Sequence, residues 1–147
     1  MADRTESTAV VGASPAAVLA VVSDVEAYPV WTGAVRKAEI LDTDAEGRPH
    51  RVRFVLDAGA IRDTYTLAYT WDVAPDGVGT VSWGLVEAEV LKAMDGAYRL
   101  EAAGAGCRVT YSLVVDLRMP MLGMLRRKAE KVIIDTALNE LKKRVEG

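Results

Sequence analysis

The sequence predicts an α+β fold in which a curved antiparallel sheet of seven strands wraps around one long C-terminal helix, with two short helices after the first strand. Three observations carry that prediction. Residues from Leu122 to about Val145 repeat apolar side chains at three- and four-residue steps; most of the chain before them alternates with a period of two; and Ser14-Pro15 opens a short helical segment directly after a first strand.

In chain order, Thr5 to Val11 suits a strand, and Ser14 is an N-cap followed by a proline at the first helical position, giving a helix from Pro15 to about Ser23. Asp24 to Tyr28 starts a second short helix. Pro29 cannot donate a backbone hydrogen bond and disfavours helix at Tyr28, so Val30-Trp31 is expected to open a loop. Val35 to Asp42 and His50 to Asp57 form the next two strands, the second with Val52, Phe54 and Leu56 on one face. Asp57-Ala58-Gly59-Ala60 turns the chain into Ile61 to Asp72, where Ile61, Asp63, Tyr65, Leu67, Tyr69 and Trp71 alternate with small polar residues.

A second turn, Pro75 to Gly79, leads to Thr80 to Glu89, in which Val81, Trp83 and Leu85 share a face. Leu91 to Ala102 follows, with a bend or bulge expected at Asp95-Gly96. Gly104-Ala105-Gly106 closes a hairpin onto Cys107 to Arg118, whose Val109, Tyr111, Leu113, Val115 and Leu117 line one side. Pro120 and Gly123 punctuate the start of the long helix. Its apolar stripe is Leu122, Leu125, Ala129, Val132, Ile133, Ala137 and Leu141, with Ile134 and Leu138 beside it and basic residues largely between. At 1.5 Å per residue it runs about 35 Å, enough to span a small domain.

A chain of 147 residues, half of them hydrophobic, is one domain able to bury a core without staples. A net charge of −3 argues against a general nucleic-acid binder, since phosphate neutralisation needs a basic surface. Cys107 is alone, which excludes an intrachain disulfide and fits a reduced, cytoplasmic setting. The N-terminus lacks an apolar signal core, and no apolar run reaches the roughly 18 residues of a membrane span. Oligomeric state is open between monomer and homodimer.

Ser14 to Val18 entering the first helix, Val25-Glu26-Ala27-Tyr28-Pro29-Val30-Trp31 after it, and Asp95 to Leu100 leading through the glycine hairpin to Cys107 to Tyr111 resemble the polyketide cyclase/dehydrase and lipid-transport group of the START-like (SRPBCC) superfamily. The resemblance spans essentially the whole chain, and the Tyr-Pro-Val-Trp stretch also resembles the coenzyme-Q-binding branch. It implies a helix-grip fold with a cavity between the concave sheet and the long helix, holding a hydrophobic lipid, polyketide or quinone. It does not imply catalysis, because one fold hosts many functions. From the residues, with one histidine and dispersed carboxylates, no metal or obligate cofactor is expected.

Catalytic constellations are sparse. His50 is the only histidine, at a strand entrance, and nothing in the sequence positions it for a triad. Asp63 and Glu87 share strand faces with large apolar residues, so simple alternation points both inward; there they are weak candidates for an acid or base, or else they reach solvent or an arginine such as Arg53 or Arg99 from strand ends. The candidate ligand wall is Trp31, Phe54, Tyr65, Tyr69, Trp83, Met94, Tyr98, Tyr111, Leu125, Ala129, Val132 and Ile133; each aromatic among them is equally readable as solid core. Trp31 is either part of an entrance or an anchor for its loop. Met119-Pro120-Met121-Leu122-Gly123-Met124, just before Arg126-Arg127-Lys128, is either a packed corner or a point of transient contact with an anionic membrane.

Two functions of different class compete with simple binding or transport of a hydrophobic small molecule. One is a polyketide cyclase or dehydratase; the other is a protein-interaction or regulatory module.

Overall fold

The computed structural model describes residues 4–59, 62–119 and 122–147. Its strands are β1 Thr5–Val11, β2 Val35–Ile40, β3 Arg51–Asp57, β4 Arg62–Val73, β5 Gly79–Ala88, β6 Leu91–Ala103 and β7 Gly106–Leu117; its helices are α1 Pro15–Ser23, α2 Tyr28–Trp31 and α3 Gly123–Glu146, with a single 3₁₀ turn at Val25–Ala27. Ala60, Ile61, Pro120 and Met121 lie outside the described residues, and with them the expected first residue of the long central strand and the proline before the terminal helix.

The strands form one antiparallel sheet in the order β1-β7-β6-β5-β4-β3-β2. From β2 to β7 each strand pairs with its successor, as short turns allow. β1 instead pairs with β7, from Thr5 opposite Leu113 to Val11 opposite Cys107, so β1 and β2 stand on opposite edges. The short helices carry the chain between those edges. Ser14 accepts the Ala17 amide at 3.2 Å and caps α1, as Ser-Pro predicts. The β4–β5 turn closes beneath that helix: Gly77 has φ +91°, and a Cβ there would stand 2.5 Å from the Pro15 carbonyl carbon.

One expectation fails at Pro29. Val30-Trp31 is helical rather than loop, because Pro29 falls in the first turn of a four-residue helix, where its missing N–H has no helical acceptor to lose. Thr32 N–H closes that turn onto the Tyr28 carbonyl at 2.8 Å.

The seating of α3 also differs from the apolar stripe. Its buried residues are Glu130, Ile134 and Leu138, one position, or about 100°, round from Ala129, Ile133 and Ala137, together with Leu141 of the expected stripe. Glu130 sets this orientation. Its carboxylate accepts from Thr5 Oγ1 and from Val115 N, both at 2.6 Å, which ties the helix to β1 and β7 and satisfies a group that burial would otherwise penalise. Farther along, Lys142 donates to the Val10 carbonyl at 2.8 Å and Glu146 accepts from Gly12 N at 2.7 Å, so α3 follows β1 from end to end. Leu122, Leu125 and Val132 consequently stay exposed, while Ile133 and Ala137 turn toward the concave face of the sheet.

Candidate ligand cavity

Between that concave face and α3 lies a cavity of about 390 Å³, within the range of small-molecule sites. All five tyrosines, the single phenylalanine and two of the three tryptophans line it. Alternation explains the convergence: Tyr65, Leu67 and Tyr69 on β4 face the same way, and register places Tyr65 beside Phe54 of β3 and Tyr69 beside Trp83 of β5. On β6 and β7, Tyr98 stands opposite Tyr111 with ring centroids 4.6 Å apart. Rings then run continuously across the floor, Tyr28 to Phe54 at 6.2 Å, Phe54 to Tyr65 at 5.6 Å, Tyr69 to Trp83 at 5.7 Å and Trp83 to Tyr98 at 5.5 Å.

The bulge expected at Asp95-Gly96 is not there: both residues pair in unbroken register with β7, and β6 is irregular instead between Leu91 and Ala93. Gly96 lies opposite Trp83, and a Cβ there would stand 2.7 Å from the indole ring, so only glycine lets the ring lie across β6. Asp95 Oδ1 takes over the Leu85 amide at 2.9 Å, where the strand ladder has ended.

Of the sequence-derived wall, Trp31, Phe54, Tyr65, Tyr69, Trp83, Met94, Tyr98, Tyr111, Val132 and Ile133 border the cavity. Leu125 and Ala129 do not. The rotation of α3 onto its Glu130 line leaves Leu125 on the outside and packs Ala129 against the edge of the core. Tyr28, Leu67, Thr136, Ala137 and Glu140 also line the space, beyond the wall that the sequence predicts. Leu67 is legible, being on the same alternating face as its two tyrosine neighbours. Ala137 is legible too, one helical turn beyond Ile133.

Neither weak catalytic candidate lines the cavity. Asp63 is buried, but its two carboxylate oxygens accept four backbone amides, Thr64 at 2.8 Å, Glu89 at 3.2 Å, Val90 at 3.0 Å and Leu91 at 2.8 Å. It pins the β5–β6 turn to the start of β4. Glu87 is exposed because β5 is bulged: Glu87 pairs with Thr66 and Leu85 with Leu67, which leaves Val86 without a partner and resets the alternation. Arg53 and Arg99 pair instead with Glu39 and Glu101. His50 contacts Asp42 at 3.2 Å on the outer surface. Burial pushes the Cys107 thiol up, away from nucleophilic character. Among the described residues no three or more His, Cys, Asp or Glu are grouped to hold a metal.

The mouth opens between the α2–β2 connection, the end of β3 and the middle of α3. Its polar rim carries two carboxylates, both engaged. Glu140 accepts from Thr32 Oγ1 and Gly33 N, each at 3.1 Å, and Asp57 is held below the usual carboxylate range by the Gly59 amide and then by Arg62 and Arg36. Deeper in, the groups are phenols. Tyr28 donates to the Val22 carbonyl, whereas among the described residues the hydroxyls of Tyr65, Tyr69, Tyr98 and Tyr111 have no protein partner and face the cavity.

Burial raises the pKa of all five tyrosines above the ordinary phenol value, so each remains a neutral donor at physiological pH. The sign of the linkage follows. The folded state holds phenol protons that the unfolded chain releases above about pH 10, so stability is unaffected below that pH and falls above it, by up to about 1.4 kcal/mol per pH unit for each tyrosine. In a spectrophotometric titration, phenolate absorbance is expected to appear only together with loss of the fold. A stepwise, reversible phenolate signal from folded protein would contradict the buried placement.

The comparisons with known proteins agree with this geometry. Residues 11–142 match the family model described as polyketide cyclase / dehydrase and lipid transport. Nothing among curated proteins matches the chain. Among solved structures, a START superfamily protein from Mycobacterium smegmatis superposes with a TM-score of 0.89 at 22% identity, covering 97% of each chain. A protein from Thermus thermophilus gives 0.80 at 22% identity, again over 97% of each. The Zhui aromatase/cyclase from a Streptomyces species gives 0.74 at 21% identity, over 98% of this chain and 93% of its own. With a seven-stranded sheet gripping α3 around a cavity and a family match across nearly the full length, the chain belongs to the polyketide cyclase / dehydrase and lipid transport family of START-like, helix-grip proteins.

Proposed function

We propose that this protein binds and carries a hydrophobic, ring-containing small molecule that bears oxygen atoms, of polyketide or quinone-like character, in the cavity between sheet and α3. The observation that carries this reading is the lining itself. An acyl chain needs only aliphatic walls, whereas here aromatic rings cover the floor and four unpartnered phenols offer hydrogen bonds that a hydrocarbon leaves unused. Carbonyl or hydroxyl oxygens on a flat ligand would meet them. The cavity also favours a ligand binder over an interaction module, which has no use for hollow space. A cytoplasmic carrier is consistent with the lone buried thiol and with the absence, among the described residues, of any helix long and apolar enough to cross a membrane.

The enzymatic alternative draws on the same phenols, which stay protonated and can donate to a substrate carbonyl, and on the name of the aromatase/cyclase neighbour. A cyclase also needs a base. The two lining carboxylates are held in rim hydrogen bonds, which favours binding without turnover.

Titration with an anthraquinone probe tests the proposal through quenching of Trp83, against palmitate as competitor. Saturable quenching is expected, with palmitate at least tenfold weaker, a difference of about 1.4 kcal/mol. Equal or tighter palmitate binding would replace the ring-containing ligand with a lipid, and no binding of either would remove the reading. Native mass spectrometry after gentle purification then weighs any co-purified ligand.

A further inference from the structure

The exposed corner where the chain enters α3 is not explained by the cavity. Met119, Leu122 and Met124 are 74%, 73% and 76% exposed, and Leu125 is 51% exposed, four exposed large apolar residues within seven positions, whereas Val30, at 75%, stands alone in its stretch of chain. Between Arg118 and Lys128 the sequence holds four basic residues and no acidic one, against a net charge of −3 for the chain. Arg118 lies beside the β5–β6 turn, its Nη2 donating to the Ala88 carbonyl at 3.2 Å, where Glu87 and Glu89 are also exposed. The positive character of the corner therefore rests on Arg126, Arg127 and Lys128.

The corner and the cavity mouth are joined. Leu125 and Val132 are seven residues apart, two turns along one face of α3 and about 10.5 Å from each other. Val132 is 52% exposed and also lines the cavity. The β3–β4 and β5–β6 turns and the β7–α3 connection all lie at this same end of the sheet, as antiparallel pairing of successive strands requires and as the Arg118 amide on the Val90 carbonyl at 2.9 Å shows. A surface that received the corner would lie next to the opening.

We propose that the start of α3 docks on an anionic lipid bilayer, with Met119, Leu122, Met124 and Leu125 entering the headgroup layer and Arg126, Arg127 and Lys128 meeting its phosphates. Protruding apolar tips beside basic side chains, of which Arg127 and Lys128 are exposed, match a fluid interface, which has an apolar interior beneath a charged surface. A folded protein partner would instead need a fixed concave complement. Docking places the mouth of the cavity at the membrane, where a hydrophobic ligand partitions, and it does not depend on which ligand the cavity takes.

Flotation of the full chain with vesicles provides the test, using phosphatidylcholine alone and phosphatidylcholine with one part in about three of phosphatidylglycerol. Binding is expected only to the anionic vesicles and should weaken as salt rises. Reversing two charges in R127E/K128E should lower the partition coefficient roughly twentyfold or more, at about fivefold for each basic residue lost. L122D/M124D should abolish binding while leaving uptake of the anthraquinone probe unchanged, which separates failure of docking from failure of the cavity reading. K143E/R144E makes the same charge change at the far end of the same helix and should bind as the parent does. No flotation with anionic vesicles at low salt would overturn the proposal, as an acidic protein partner in place of a membrane would produce. Equal loss in K143E/R144E would also overturn it, by reducing the effect to net charge.

Discussion

Asp63→Ala is expected to destabilise the protein by about 3 kcal/mol, more than an ordinary surface change and comparable to deleting a large core side chain. The carboxylate holds four backbone amides at once, and one of them belongs to Leu91, which is fully buried. Without it the Leu91 N–H has no acceptor, a desolvation penalty of about 1–3 kcal/mol, and the amides of Thr64, Glu89 and Val90 exchange charge-assisted bonds for water. For a chain of this length the melting temperature should fall by roughly 10 °C. Asp63→Asn should not rescue it. One oxygen takes Thr64 and Glu89 and the other takes Val90 and Leu91, so an amide can serve one pair only by turning its own N–H groups on the other. Thermal melts of both variants decide the matter. Full stability in Asp63→Asn would refute the role as a backbone clasp, and probe uptake by Asp63→Ala well below its melting temperature should match the parent, as it would not if Asp63 worked inside the cavity.

Asp63 reads in the sequence as a possible acid, and its actual role shows where sequence reading stops. Alternation correctly places it inward of the β4 surface, and the same rule correctly places Tyr65, Leu67 and Tyr69. Period two reports the face of a strand but not its partner. The amides that claim Asp63 come from a turn 26 to 28 residues away, a tertiary match with no local signature. Glu87 fails for a related reason, since a single bulge at Val86 inverts every inference beyond it, and bulges leave little trace in one sequence. Pro29 fails more simply: its ring is tolerated at the start of a helix, and a four-residue helix is nearly all start.

The terminal helix is the instructive case. Its existence and length are plain from spacing, but its rotation is not, because hydrophobic counting treats glutamate as surface. Glu130 is fully buried and sets the line on which the helix sits. The apolar surface of the helix is thus shared between two different tasks: Ile134, Leu138 and Leu141 are buried in the core, while Ile133 and Ala137 pack at its edge and also line the cavity. What remains of the stripe, Leu122 and Leu125, faces outward. Sequence patterning gives apolar area, and only packing divides it among core, cavity and exposed surface.

That division makes the strongest functional prediction a comparison of neighbours on α3. Ala137→Trp is expected to lower uptake of the anthraquinone probe at least tenfold, because Ala137 borders the cavity and an indole there would project into a space of only about 390 Å³. Stability should change less than at Ala129, since Ala137 borders the cavity and the added ring has void to enter. Ala129→Trp makes the same chemical change two turns earlier on the helix, at a position that packs on the core edge without lining the cavity. It should destabilise the fold by about 1–3 kcal/mol through overpacking and leave probe affinity unaltered in the folded fraction. The two variants therefore have opposite signatures, one in affinity and one in melting temperature. A loss of uptake in Ala129→Trp with none in Ala137→Trp would mean that ligand lies along the original apolar stripe, and the assignment of the cavity as its site would be wrong.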